Sequence, residues 1–170
     1  MTNVPTPSRR ALPLVIALAV VVLDRLTKLW IDLRLNDFDS ISVIPGLFRI
    51  VHTENPGAAF GFLADGNVLL RVAVLIGVSV IVVLFVAFAL WSRRTAFTDP
   101  LSRWGLALIM GGAIGNLWDR IFRGTVTDFL EIYQGSWTFP AFNVADSAIT
   151  VGAVLLLIDL VRPKHQLVHE

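Results

Sequence analysis

The chain has 170 residues, 55% of them hydrophobic and 16% charged, with a mean hydropathy of +0.73, far more apolar than an ordinary soluble domain. Its formal net charge is +1 and it carries no Lys/Arg run of the kind that grips nucleic acid, so charge gives no support to a nucleic-acid partner. Cysteine is absent, which removes disulfides, thiol catalysis, cysteine-based metal sites and lipidation of the chain on its own thiols.

Residues 8–14 (SRRALPL) superficially resemble a twin-arginine export signal. Asp24, Arg25 and Lys28 stand where a cleavage site would need small residues, and three more apolar blocks follow, so the block 11–31 reads as a retained span. Blocks 68–91, 104–118 (extended by flanking residues to about 121) and 144–161 complete the set. Each approaches the roughly 20 residues that cross a hydrocarbon core about 30 Å thick. The predicted fold class is an α-helical membrane protein with four transmembrane helices, forming a single domain over 1–170. Arg9 and Arg10, the 92–103 loop with Arg93, Arg94 and Arg103, and the pair Arg162 and Lys164 place both termini and that loop in the cytoplasm by the positive-inside rule.

The outward loops then run over about 32–67 and 119–143. Residues 41–53 and 129–139 are rich in β-branched and aromatic side chains, with turn formers at Pro45–Gly46 and Gln134–Gly135, and predict a small outer sheet or pair of hairpins. Trp30, Trp104, Trp118 and Trp137 also suit interfacial anchoring.

Within the apolar blocks, the polar residues carry the information. Asp24 and Lys28 are four apart and share a helical face, as an ion pair that fixes packing or as part of a site. In GGAIGNLWDR (111–120), Gly111 and Gly115 form a small-xxx-small seam, and Asn116 and Arg120 follow beside it. Asp128 lies in GTVTDFL with no evident capping role. Asn143 and Asp146 have the spacing of an N-cap and an acidic first turn. Asp159, three before Arg162, reads as a surface pair.

Asp128 and Asp146 bracket one outer loop and are predicted at the same depth. Two carboxylates meeting in a low-dielectric site share one proton, which supplies an acid and a base for attack of water on a peptide carbonyl. That chemistry needs neither metal nor cofactor; His52, His165 and His169 form no ligand constellation, and no serine–histidine pair is indicated. A proton-coupled transporter and a non-enzymatic subunit with polar glue between its helices are the competing readings. The first expects carboxylates spread through the membrane and usually an internal repeat, and none is visible.

In order, LDRLTK (23–28), NPGAAF (55–60), GGAIGNLWDR (111–120), VTDFL (126–130) and FNVADSAI (142–149) resemble the blocks of lipoprotein signal peptidase, or signal peptidase II. The resemblance implies a four-helix aspartic protease of the bacterial inner membrane that works near the periplasmic face. It would cut the signal peptide from diacylglyceryl-prolipoproteins just before the lipidated cysteine, as a monomer among membrane lipids. It further implies a β-cradle from the first outer loop, with residues around 57–64 near the entrance. Asp128 and Asp146 would be the catalytic dyad, Asn55, Gly57, Asn116, Arg120 and Asn143 would line or support the substrate site, and Asp24 and Lys28 would be supporting positions.

Overall fold

A computed structural model describes residues 11–37, 39–57, 68–92 and 99–162. The predicted entrance residues 58–64 lie outside these, as do Arg9, Arg10, Arg93, Arg94, Lys164, His165 and His169.

Four helices carry the chain. Helix α1 (Ala11–Arg34) buries Pro13, Ala17, Asp24, Lys28 and Ile31, a stripe at helical spacing. Pro13 falls in the first turn, where a missing amide hydrogen costs nothing. Helix α2 (Val68–Trp91) is apolar on every face beyond Arg71 in its first turn and Ser79, yet buries only Val86, Ala89 and Leu90, leaving Leu69, Phe85, Phe88 and Trp91 exposed. Such a surface is suited to lipid rather than water. Helix α3 (Pro100–Phe122) is the central element, packed against each of the other three. It begins four residues before the predicted Trp104, because Asp99 caps the amide of Leu101 at 2.8 Å and Pro100 occupies the first turn. Helix α4 (Val144–Val161) completes the bundle. By length and composition α2 and α4 can cross a membrane. The charges on α1 and α3 keep those two below the same threshold, so four spans are not established by hydropathy.

The helices approach closely where α3 is smallest. A β-carbon at Gly111 would lie 2.7 Å from the Ala17 carbonyl oxygen of α1, and one at Gly115 would lie 2.7 Å from Asp24 Oδ2. The predicted seam therefore faces α1. A second seam, Gly105 and Gly112 of α3 with Gly152, runs along α4: a β-carbon at Gly105 would meet the Gly152 carbonyl oxygen at 2.7 Å. Asp159 is not the surface pair expected from its spacing to Arg162. It is buried against α3, where Ser102 Oγ donates to its carboxylate, so the partner that decides its environment comes from another helix.

The remaining structure is an antiparallel sheet of β1 (Ser40–Ile44), β2 (Phe48–Asn55), β3 (Val126–Gln134) and β4 (Trp137–Thr138), in that order. The predicted turns are present. Gly46 (φ +78°) and Gly135 (φ +59°) adopt the left-handed backbone that links consecutive strands there. Ile31 and Leu35 from the end of α1 pack on Phe129 of β3, with Ile50, Leu130 and Val144 around them. The sheet is thus fastened to the helices by an apolar plug directly behind the polar residues considered next.

Candidate active site

Two local features bring Asp128 and Asp146 together. Asp128 is the third residue of β3, opposite Thr53 of β2, rather than the end of a helix. Past β4 the chain returns, and Phe142 exchanges backbone hydrogen bonds with Leu130 at 2.8 and 3.0 Å. That bridge sets Asn143, the next residue, beside β3. Asn143 then starts α4 with a reciprocal capping box: its Oδ1 accepts from the Asp146 amide at 2.9 Å, and Asp146 Oδ2 accepts from the Asn143 amide at 3.2 Å. Both the capping reading and the proximity reading of FNVADSAI hold, and each supports the other.

Side-chain amides then hold the acids. Asp128 is 2% exposed; its Oδ1 accepts from Asn143 Nδ2 at 2.7 Å and its Oδ2 from Asn55 Nδ2 at 2.8 Å. Asp146 is half-buried, and its Oδ1 accepts from Asn116 Nδ2 at 2.7 Å. Burial is the largest influence on Asp128 and pushes its pKa up to about 7; the nearby Asp146 charge adds to the rise, while the donors Asn55 and Asn143 and the more distant Lys28 oppose it. Asn55 is positioned in turn by Gly57, whose amide donates to Asn55 Oδ1 at 2.8 Å. Gly57 has φ +101°, a conformation other residues rarely adopt, and a β-carbon there would collide with Leu75 of α2.

Below the acids lies a charged frame. Lys28, fully buried, reaches Asp24 Oδ2 at 2.8 Å, Asp119 Oδ2 at 2.7 Å and Asn116 Oδ1 at 3.0 Å. Arg25 pairs with the other side of Asp119. Asp24 Oδ1 accepts from the Ala145 amide at 3.1 Å, at the orphan-donor end of α4. Asp24 and Lys28 therefore pair as their spacing predicts and also fix α3 and α4 to α1. Arg120 stands beside this frame with its Nη1 3.4 Å from the Asn116 carbonyl oxygen and its buried Nε without a hydrogen-bond partner. Its charge is felt by Asp146 and Asp128.

All nine residues singled out in the sequence thus fall in one connected region. Asp119 was quoted within GGAIGNLWDR but given no part; the signal was a carboxylate three residues after Asn116, on nearly the same helical face. Arg25, which in the sequence serves only to rule out a cleavage site, joins the same frame beside Asp24. Beside Asp146 a groove of about 650 Å³ is lined by Ile132, Phe139, Phe142, Ser147, Thr150 and Val151. The set of described residues closest to a metal-ligand geometry lies away from the acids and comprises Asp32, His52 and Glu54.

Comparison with known proteins matches residues 16–162 to the family model for signal peptidase (SPase) II. A lipoprotein signal peptidase of Solibacter usitatus is 47% identical over 151 residues, covering 89% of this chain and 91% of that protein. One from Geobacter sulfurreducens is 44% identical, covering 89% and 92%. Two solved structures described as a bacterial membrane enzyme superpose with TM-scores of 0.79 and 0.78, each at 29% identity. The first covers 94% of this chain and 95% of its own, and the second 91% and 95%.

Proposed function

The chain belongs to the signal peptidase II family, and from that premise we propose that Asp128 and Asp146 are the catalytic dyad with which it cleaves prolipoprotein signal peptides. The carrying observation is the inequality of the two environments. Asp128, enclosed and raised to about 7, holds a proton in about half of the molecules at neutral pH, where an ordinary aspartate holds almost none, whereas Asp146 borders the groove. Asp146, as carboxylate, takes a proton from a water molecule as that water attacks the scissile carbonyl. Asp128 donates its proton to the carbonyl oxygen; when the tetrahedral intermediate collapses, Asp146 passes the proton taken from water to the departing amine and Asp128 recovers its own from a hydroxyl of the intermediate as the carboxylic acid product forms. Asn116 and the Asn143 backbone amide donate to Asp146 and fix its orientation, and Asn55 and the Asn143 side chain orient Asp128. Arg120 offers its unpartnered Nε to a substrate carbonyl, and Gly57 keeps the approach to it open.

The substrate is a diacylglyceryl-prolipoprotein cut just before the modified cysteine. Its acyl chains stay in lipid while the groove takes the polypeptide. All four helices span the membrane in a single domain, with both termini cytoplasmic and the sheet at the outer face. The charged residues of α1 and α3 that lower their hydropathy are turned inward and paired, which supports their passage through lipid. The protein works as a monomer.

The decisive experiment incubates purified protein with a diacylglyceryl-modified precursor and follows release of the signal peptide. Asp128→Asn and Asp146→Asn each lower the rate by about 10²–10⁴-fold or more while the protein stays folded. Native rates in either folded variant eliminate the dyad. Cleavage confined to unlipidated precursor eliminates the substrate assignment.

A further inference from the structure

Three side chains converge where α1 meets β2, on the sheet face opposite Asn55 and Asp128. Asp32 comes from the last turns of α1; His52 and Glu54 are two apart on β2 and so share a face. His52 Nε2 lies 3.5 Å from Asp32 Oδ1 and 3.7 Å from Glu54 Oε1, and the ligand atoms of all three lie within 4.8 Å of one another.

The histidine supplies the independent observation. Its side chain is 9% exposed, and Nε2 is buried without a hydrogen-bond partner. Nδ1 lies 3.0 Å from the Leu35 carbonyl oxygen, which can only accept, so Nδ1 carries a hydrogen and a neutral ring turns the Nε2 lone pair toward the two carboxylates. An N–H donated from Nε2 would prefer 2.7–3.2 Å; both separations are longer. The Asp32 separation matches the edge of a tetrahedron around zinc, about 3.4 Å for metal–ligand bonds of about 2.0–2.1 Å, and the 3.7 Å separation to Glu54 reaches it by a small side-chain shift. A backbone carbonyl on the far ring nitrogen is the usual device that orients a metal-bound histidine.

The surroundings agree. Arg123 donates to Asp32 Oδ2 at 2.7 Å and to Glu54 Oε1 at 2.8 Å, and Thr125 donates to Glu54 Oε2. These bonds orient both carboxylates, yet one guanidinium offsets only one of two negative charges, and Asp32 Oδ1 and Glu54 Oε1, which face the ring, share the single Thr127 hydroxyl as a long donor at 3.4 and 3.3 Å. A cavity of about 360 Å³ lined by Asp37, Asp39, His52 and Glu54 gives a polar approach from outside. One imidazole and two carboxylates suit zinc better than magnesium or calcium, which favour all-oxygen shells.

We propose that Asp32, His52 and Glu54 bind one zinc ion, which pins the end of α1 to β2, the strand that delivers Asn55 to Asp128. The site is separate from the proposed dyad and does not depend on it. The test titrates zinc chloride into untagged, chelator-treated full-length protein in detergent, with metal content, calorimetry and thermal unfolding as readouts. The expected result is one zinc per chain and a higher Tm, with no comparable effect of magnesium or calcium. His52→Ala loses both responses yet still cleaves precursor, whereas His165→Ala/His169→Ala keeps both. X-ray absorption of the zinc-loaded native protein, which avoids any folding defect of the variants, shows a mixed nitrogen and oxygen shell. Absence of stoichiometric zinc, undiminished zinc binding in His52→Ala, loss confined to the His165/His169 variant, or an all-oxygen shell overturns the proposal.

Discussion

Replacing Lys28 with methionine keeps the length and apolar stem of the side chain and deletes its ammonium. In the native structure that ammonium lies 2.8 Å from Asp24 and 2.7 Å from Asp119, and none of the three side chains has exposed surface. After the change Asp119 keeps Arg25 and Asp24 keeps the Ala145 amide, but two buried carboxylates share one cation instead of two. Removing one partner from a buried ion pair costs about 3–5 kcal/mol, which corresponds to roughly 10 °C in Tm for a chain of this size. Asn116 also loses its 3.0 Å donor and with it part of the hold on Asp146, so cleavage slows alongside the loss of stability. Adding Asp24→Asn removes the orphaned charge while leaving an oxygen for the Ala145 amide, and the double variant regains much of the Tm. Thermal unfolding in detergent of the native, both single and the double proteins measures the coupling. A Lys28→Met midpoint within about 1 °C of native, or a double variant no better than Lys28→Met, would refute the charged-frame reasoning.

Asp128, raised from 3.8 to about 7, is protonated in mildly acidic solution and loses its proton as pH rises through about 7. The acid of the dyad then disappears, so kcat/KM falls on an alkaline limb centred near that value, readable from a pH–rate profile. For stability the sign is the same: the contribution of Asp128 is full below 3.8 and is lost as pH climbs through about 7. Asn55→Ala deletes a donor that favours the ionised carboxylate, so its alkaline limb moves to higher pH even as the rate drops. Gly112→Ala puts a β-carbon onto the Ala145 carbonyl oxygen and displaces the first turn of α4, which costs about 1–3 kcal/mol and much of the activity. In Gly77→Ala on α2, where the added carbon meets nothing within 4 Å, Tm and cleavage stay at native levels or Tm rises slightly.

The four helices are legible because their apolar runs are long, and β1 to β3 because β-branched residues and turn formers alternate along the outer loops. What spacing could not supply were partners from distant parts of the chain. Asp24 and Lys28 announce one another at four residues, but nothing in that interval points to Asn116 or Asp119 on α3, the second and third partners of the same ammonium. Asp159 misleads for the same reason: Arg162 is its neighbour in sequence, and Ser102 is its neighbour in space. The sequence sets Asp128 at the start of an outer loop, close to where the third apolar run ends, and gives no sign that the strand begins before it. The chain makes a turn at Gly124 (φ +77°) and enters β3 before reaching it. The histidine constellation was sought among histidines, whereas His52 meets carboxylates supplied by its own strand and by α1.

Asn143 and Asn116 together separate two populations of charge. On one side are Asp24, Lys28, Arg25 and Asp119, all paired; on the other are Asp128 and Asp146. The contacts that cross between them pass through side-chain amides: Lys28 to Asn116, Asn116 to Asn143 and Asp146, Asn143 to Asp128. An amide donates and accepts hydrogen bonds but does not titrate in the physiological range. The line is therefore structurally continuous without a titrating group along it, a spacer between the two carboxylates and the charged frame. In the proposed reaction the protons consumed and released at Asp128 and Asp146 are exchanged with water at the groove that Asp146 borders, so the hydrolytic chemistry needs no titrating partner from the helix interior.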